Sequence, residues 1–199
     1  MAPLQTSIIG NRNQDEPAII RKVDFLNDGL SWYIQWFPRM YNLSGERLFE
    51  DSHWEVPKIW EAATNDDRMR ALVLEAAEQI QGYVAFQFDD YTGIDGKACA
   101  YVAFIATAPW NRKRKGGDRE FKGVGSTLLA VTLLHELKNT GSLTLELHSL
   151  PQSEIFYRKI GMHETGKRSK DGLKQMRLEK PEALTLIRPY RSSFIRREG

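Results

Sequence analysis

Residues 122–141 read KGVGSTLLAVTLLHELKNTG, and this stretch decides the fold. Two glycines, Gly123 and Gly125, stand directly before a run with helical apolar spacing. Val124, Leu128, Val131 and Leu134 recur on one face, Leu129, Leu133 and Leu137 widen it, and Gly141 supplies a stop. A glycine pair at a turn lets the backbone approach a ligand closely and points several N–H groups outward. The start of the following helix adds unpaired N–H groups and the positive end of its dipole, which together suit a pyrophosphate. A tight turn entering a helix has the same sequence, so the motif alone leaves both readings open. It is not a Walker loop, since Gly-Lys-Ser/Thr is absent, and position 128 is Leu rather than the last glycine of a dinucleotide fingerprint.

The elements on either side narrow the choice. Upstream, AYVAFIATA (100–108) is apolar on both faces, as a central strand is, and Pro109 ends it. Before it, ALVLEA (71–76) and GYVAFQF (82–88) suit an antiparallel pair. Downstream, LTLELHSL (143–150) alternates with period two: Leu143, Leu145 and Leu147 face one way, Thr144, Glu146 and His148 the other. Residues 151–160 suit a short helix burying Ile155, Phe156 and Ile160, and Lys170-Asp171-Gly172 suits the turn of a final hairpin. Nearer the start, residues 19–23 suit a strand, residues 26–37 a helix stopped near Pro38, and residues 54–63 a helix with Pro57 in its first turn and Asp51 or Ser52 as cap.

This order of segments resembles the GNAT superfamily of acetyl-CoA-dependent N-acetyltransferases over roughly residues 71–180. Thr107-Ala108-Pro109 ends a strand, Gly123-Val124-Gly125 opens a long helix, and Tyr157-Arg158-Lys159-Ile160-Gly161-Met162 matches the family's Y-x-x-x-G-F. Glu120 stands where the family usually has Gln or Arg, and Met162 replaces the final Phe. The resemblance implies an α/β fold: a mixed, mostly antiparallel central sheet flanked by helices, with a splay between its two central strands. It implies acetyl-CoA as donor, with the pyrophosphate on Lys122, Gly123, Val124, Gly125 and Ser126, a contact from the hydroxyl of Ser126 or Thr127, and the pantetheine arm along Ile105, Ala106 and Thr107. It implies Tyr157 as the acid facing the leaving thiolate. A base is also wanted, because an ammonium must lose a proton before it attacks; Glu146 and His148 are the candidates, with Asp89 and Asp90 behind them.

The reaction so implied is transfer of acetyl from acetyl-CoA to a primary amine by direct attack, on a small-molecule or peptide acceptor. Alternatives are a non-catalytic acyl-CoA-binding or protein-interaction module of the same fold, and an acetyltransferase directed at tRNA or protein. The domain reading is a flexible arm over 1–17, one domain over 18–180 (an acceptor-side helical region to residue 70, then the acetyl-CoA core), and a basic tail over 181–199.

Composition sets outer limits. The chain has 199 residues, 41% apolar and 27% charged, which is ordinary for one globular domain. No apolar run is long enough to span a bilayer and no leader core opens the chain, so a cytoplasmic protein, monomer or homodimer, is expected. One cysteine excludes an internal disulfide and a cysteine-rich zinc site, and the histidines have no metal-ligand spacing. The net charge of +2 conceals a division at residue 98: nine basic and sixteen acidic side chains before it, nineteen and ten after it. The basic part contains the glycine turn and the loop 112–122, which fits an anionic donor; nucleic acid is a minority reading, since aromatic interleaving is sparse.

Overall fold

The computed structural model describes residues 3–41, 48–88, 91–112 and 118–190. Among the described residues, nine strands form one sheet in the order β6-β1-β2-β3-β4-β5-β7-β9-β8. In chain order they are β1 (Leu4–Gly10), β2 (Asp15–Lys22), β3 (Met69–Ala76), β4 (Gln79–Gln87), β5 (Ala100–Thr107), β6 (Phe121–Lys122), β7 (Leu145–Ser149), β8 (His163–Arg168) and β9 (Lys174–Leu178). Every neighbouring pair is antiparallel except β5 and β7, so the expected mixed sheet is present. The helices are α1 (Phe25–Ser31), α2 (Val56–Asn65), α3 (Val124–Thr140), α4 (Glu154–Lys159) and α5 (Lys180–Ile187).

The sheet divides the interior into two clusters. On one face α3 packs its leucines, with Leu128, Leu129 and Leu133 wholly buried, against Leu72, Leu74, Val84, Leu145 and Leu147. On the other face α1, α2 and the turns after α1 bring Trp32, Trp36 and Trp60 onto Val73, Tyr83, Ala85 and Ala106. Alternation along β3 and β4 sends successive side chains to opposite clusters, which is why both strands are buried on both sides. Gly82 brings α3 onto β4, since a Cβ there would lie 2.6 Å from Val124.

Three expectations are corrected. Residues 4–10 are not a loose arm: Leu4, Ile8 and Gly10 point inward from β1, which pairs with β2 on one side and β6 on the other. The packed domain does not stop at residue 180: residues 180–187 form α5 against α3, with Ala183 and Ile187 in the core, while residues 191–199 lie outside the described residues. In α4 the buried residue is Tyr157, while Ile155 is 80% exposed and Phe156 and Ile160 are half-buried. Two other details also differ. The chain winds on past Ser31 as one wide turn over Trp32–Trp36 and a tight one over Phe37–Arg39, so Pro38 lies within the last turn. Neither Asp51 nor Ser52 caps α2; both sit in the turn Glu50–His53.

Candidate functional site

The site begins where β5 and β7 part. They pair only from Ala100 opposite Leu145 to Val102 opposite Leu147. Beyond that β5 stays on β4 as far as Thr107 opposite Gly82, while β7 stays on β9 as far as Ser149 opposite Lys174. The edge of β5 over residues 104–107 thus faces a gap with no strand beside it among the described residues. This is the expected splay, with Ile105, Ala106 and Thr107 along its wall. Arg112 takes part of that edge, donating from Nε to the Thr107 carbonyl at 2.7 Å.

The glycine turn lies across the mouth of the gap. Gly123 has φ +85°, a left-handed geometry that favours glycine, and no side chain caps α3 behind it. Thr127 N–H is the first to bond back, to the Gly123 carbonyl at 2.8 Å, so the N–H groups of Val124, Gly125 and Ser126 remain as an outward-facing set. A Cβ on Gly125 would reach 3.2 Å from the Phe156 ring and 3.7 Å from Thr107, which locks turn, strand end and α4 into contact. Two residues depart from the expected roles. The Thr127 hydroxyl turns inward to the Gly123 carbonyl and Tyr190, leaving Ser126 as the available hydroxyl. The Lys122 ammonium binds Asn13 of the β1–β2 turn at 2.8 Å. The base of the intervening loop is held by buried Asn111, which accepts from Phe121 N–H and donates to Gln81; residues 113–117 of the basic loop, and Asp89 and Asp90, lie outside the described residues.

Tyr157 enters from α4 with its ring buried. Burial, and after it the charge of Asp51, push its hydroxyl above the usual tyrosine range, so it keeps its proton at neutral pH. Asp51 is also buried and forms a two-point pair with Arg112 at 2.5 and 2.7 Å. Arg112 in turn lies 4.4 Å over the Phe49 ring. This pair, which spans sixty-one residues and has no local signal, ties the turn before α2 to the end of β5.

The two candidate bases separate. Glu146 is fully buried and accepts from Tyr91 Oη, Ile94 N–H, Gln175 Nε2 and Arg177 Nη1 at 3.0, 2.9, 2.9 and 2.5 Å. Four donors occupy its lone pairs, so it anchors the loop 91–99 onto β7 and β9 rather than serving a reacting amine. His148 is half-buried at the open end of β7. Its Nδ1 meets Tyr101 Oη at 2.8 Å, and burial, partly offset by Glu146, lowers its pKa, so the imidazole is neutral near pH 7. Cys99 is buried, and burial, with Glu146, raises its thiol, which removes it as a nucleophile.

Among the described residues no group of three or more His, Cys, Asp and Glu is placed to hold a metal ion, and no helix is long and apolar enough to cross a membrane. A scan against protein-family models finds no match, and a comparison with curated proteins finds none. Among solved structures the chain is similar to an uncharacterized protein from Bacillus halodurans, with a TM-score of 0.61 and 12% identity over 95% of this chain and 97% of that one. It is similar to a protein assigned to the GNAT family of acetyltransferases from Desulfovibrio desulfuricans, with a TM-score of 0.56 and 16% identity over 81% and 98%. A third is spermidine N-acetyltransferase from Vibrio cholerae in complex with CoA and spermine, with a TM-score of 0.53 and 18% identity over 84% and 98%. At these identities the likeness is one of fold.

Proposed function

Starting from a chain that has the GNAT fold, we propose that it is an N-acyltransferase moving acetyl from acetyl-CoA to a primary amine by direct attack. One observation carries the reading: an uncapped helix start with three outward N–H groups lies across the mouth of a gap between two splayed central strands. The likeness in fold to an N-acetyltransferase solved in complex with CoA supports it.

In this reading the N–H groups of Val124, Gly125 and Ser126 hold the pyrophosphate, helped by the dipole of α3. The pantetheine arm lies along Ile105–Thr107 and brings the thioester toward Tyr157. The amine lone pair attacks the thioester carbonyl, a C–N bond forms, and the C–S bond breaks. The Tyr157 hydroxyl, kept protonated by burial, donates a hydrogen bond to the leaving thiolate. A thiol near pKa 8.5 is a stronger acid than this phenol, so the proton is shared toward sulfur more than handed over. His148, neutral and oriented by Tyr101, takes the proton lost by the amine. With Cys99 buried, no covalent acyl-enzyme is invoked.

Isothermal titration of acetyl-CoA into the full chain tests the reading. Saturable binding is expected, and absence of heat at millimolar ligand removes the donor assignment. For Tyr157→Phe, turnover in a thiol-release assay is expected to fall by about a hundredfold, the low end for a positioned proton donor, with acetyl-CoA affinity unchanged. Equal turnover in the variant would take Tyr157 out of the reaction.

A further inference from the structure

Large apolar side chains left in water are not scattered evenly over this protein. Of the twelve exposed among the described residues, six fall between positions 25 and 37: Phe25, Leu26, Leu30, Tyr33, Ile34 and Phe37. The chain winds without a break from α1 through the wide turn to Arg39. One side of that winding stretch, Gly29, Trp32, Trp36 and Met40, is buried. The opposite side carries the six, with Leu26, Leu30 and Ile34 at 76%, 62% and 65% exposure. A helix that is apolar all round belongs in an interior, whereas this one lies at the surface. Single exposed leucines need no explanation, but a contiguous stripe does.

Its size, charge and shape say what covers it. At roughly 150–250 Å² of surface for each ring, and somewhat less for leucine and isoleucine, the six expose on the order of 600 Å². Two such stripes face to face bury about 1,200 Å², which clears the roughly 1,000 Å² that a specific interface needs. A bilayer surface fits poorly, because helices that lie in lipid headgroups carry Lys and Arg beside their apolar face. Residues 24–37 contain Asp24 and Asp28 and no basic residue, and Asp28 turns inward to Arg21. A second copy fits well. An isologous contact needs a patch that matches itself after a twofold rotation. With two stripes antiparallel about an axis between Leu30 and Tyr33, Leu26 meets Phe37 of the partner subunit and Leu30 meets Tyr33 of the partner subunit. The same register brings exposed Asp24 to Arg39 of the partner subunit, so opposite charges close both ends. Arg39 also lies over the Trp110 ring at 5.1 Å, which holds its guanidinium at that end of the stripe.

We propose that the outward stripe of residues 25–37 is a homodimer interface, formed by two copies packed antiparallel about a twofold axis. The inference does not depend on the acyl-transfer reading. Sedimentation equilibrium of the full chain from about 1 to 100 μM tests it, with twice the chain mass expected at the upper end. Leu30→Lys sets two ammonium groups near the axis and is expected to weaken association by at least about a hundredfold. Leu26→Lys, at the most exposed of the six, is the second variant should the first fail to fold. Both are expected to keep the far-ultraviolet dichroism of the wild type. Arg39→Glu is expected to weaken the dimer about tenfold, and adding Asp24→Lys to restore it, since the pair is then reversed rather than removed. A monomer at 100 μM, or a dimer that folded Leu30→Lys and Leu26→Lys both leave intact, overturns the proposal. A dimer broken by the lysines but indifferent to Arg39→Glu overturns the antiparallel register. Monomeric protein that floats with phosphatidylcholine–phosphatidylserine vesicles, and loses them with Leu30→Lys, gives the stripe to a membrane instead and overturns the dimer.

Discussion

Glu146→Ala is expected to lower stability by about 3 kcal/mol, the low end of the range for breaking a buried ion pair by removing one partner. At about 2–4 °C per kcal/mol for a chain of this size, the melting temperature falls by about 6–12 °C. The physical reason is the environment of Arg177, whose side chain is only 4% exposed. Asp95 and Glu179 still touch its other nitrogens, which keeps the loss from being larger. Tyr91, Ile94 N–H and Gln175 lose their acceptor at the same time. Gly93 limits repair, since a Cβ there would lie 2.9 Å from Glu146 Oε1 and 2.8 Å from Arg177 Nη1, so the loop is already at closest approach. Thermal melts of the full chain measure the effect. A catalytic base would behave in the opposite way: an unchanged melting temperature with a collapsed kcat would restore Glu146 to the reaction.

Gly125→Val is expected to weaken acetyl-CoA by at least about a hundredfold, about 2.7 kcal/mol, alongside a fall of a few degrees in melting temperature from crowding against Phe156. Valine brings two γ-carbons to a position where even Cβ would stand 3.2 Å from the Phe156 ring. They cover the N–H groups of residues 124–126 proposed above to hold the pyrophosphate. Gly125→Ala adds only the Cβ, asks Phe156 to yield by a few tenths of an ångström, and should cost only severalfold. Calorimetry on both variants ranks them, and equal affinity for wild type and valine variant would move the donor away from this turn.

The contrast between these two residues shows what could be read without coordinates. Gly125 belongs to a local pattern: glycines, then a helix whose apolar spacing persists from Val124 to Leu137, then Gly141 in left-handed geometry as its stop. Each of those signals lies within one element. The strands 71–76, 82–88 and 100–108 and the hairpin at 170–172 announce themselves the same way. Glu146 does not. Alternation put it on one face of β7 with His148, but nothing local says that the aperiodic loop 91–99 covers position 146 and leaves 148 open. Its partner Arg177 is thirty-one residues away. The first strand hid for a different reason: the inward residues of β1 are Leu4, Ile8 and Gly10, with the polar Thr6 half-buried between them, so its period of two is weak. In α4 the helix is only six residues long, too short for spacing to fix its phase, and Tyr157 rather than Ile155 turned inward.

The sheet that separates the leucine cluster of α3 from the tryptophan cluster of α1 and α2 also separates two sets of substitutions that do not couple. Side chains that share no neighbour have nearly additive effects on stability. Substitutions among Trp32, Tyr33, Phe37 and Trp54 therefore leave the glycine turn and its helix undisturbed. A library of substitutions confined to the tryptophan side is therefore expected to change stability by amounts that add to, and do not couple with, changes made among the leucines of α3.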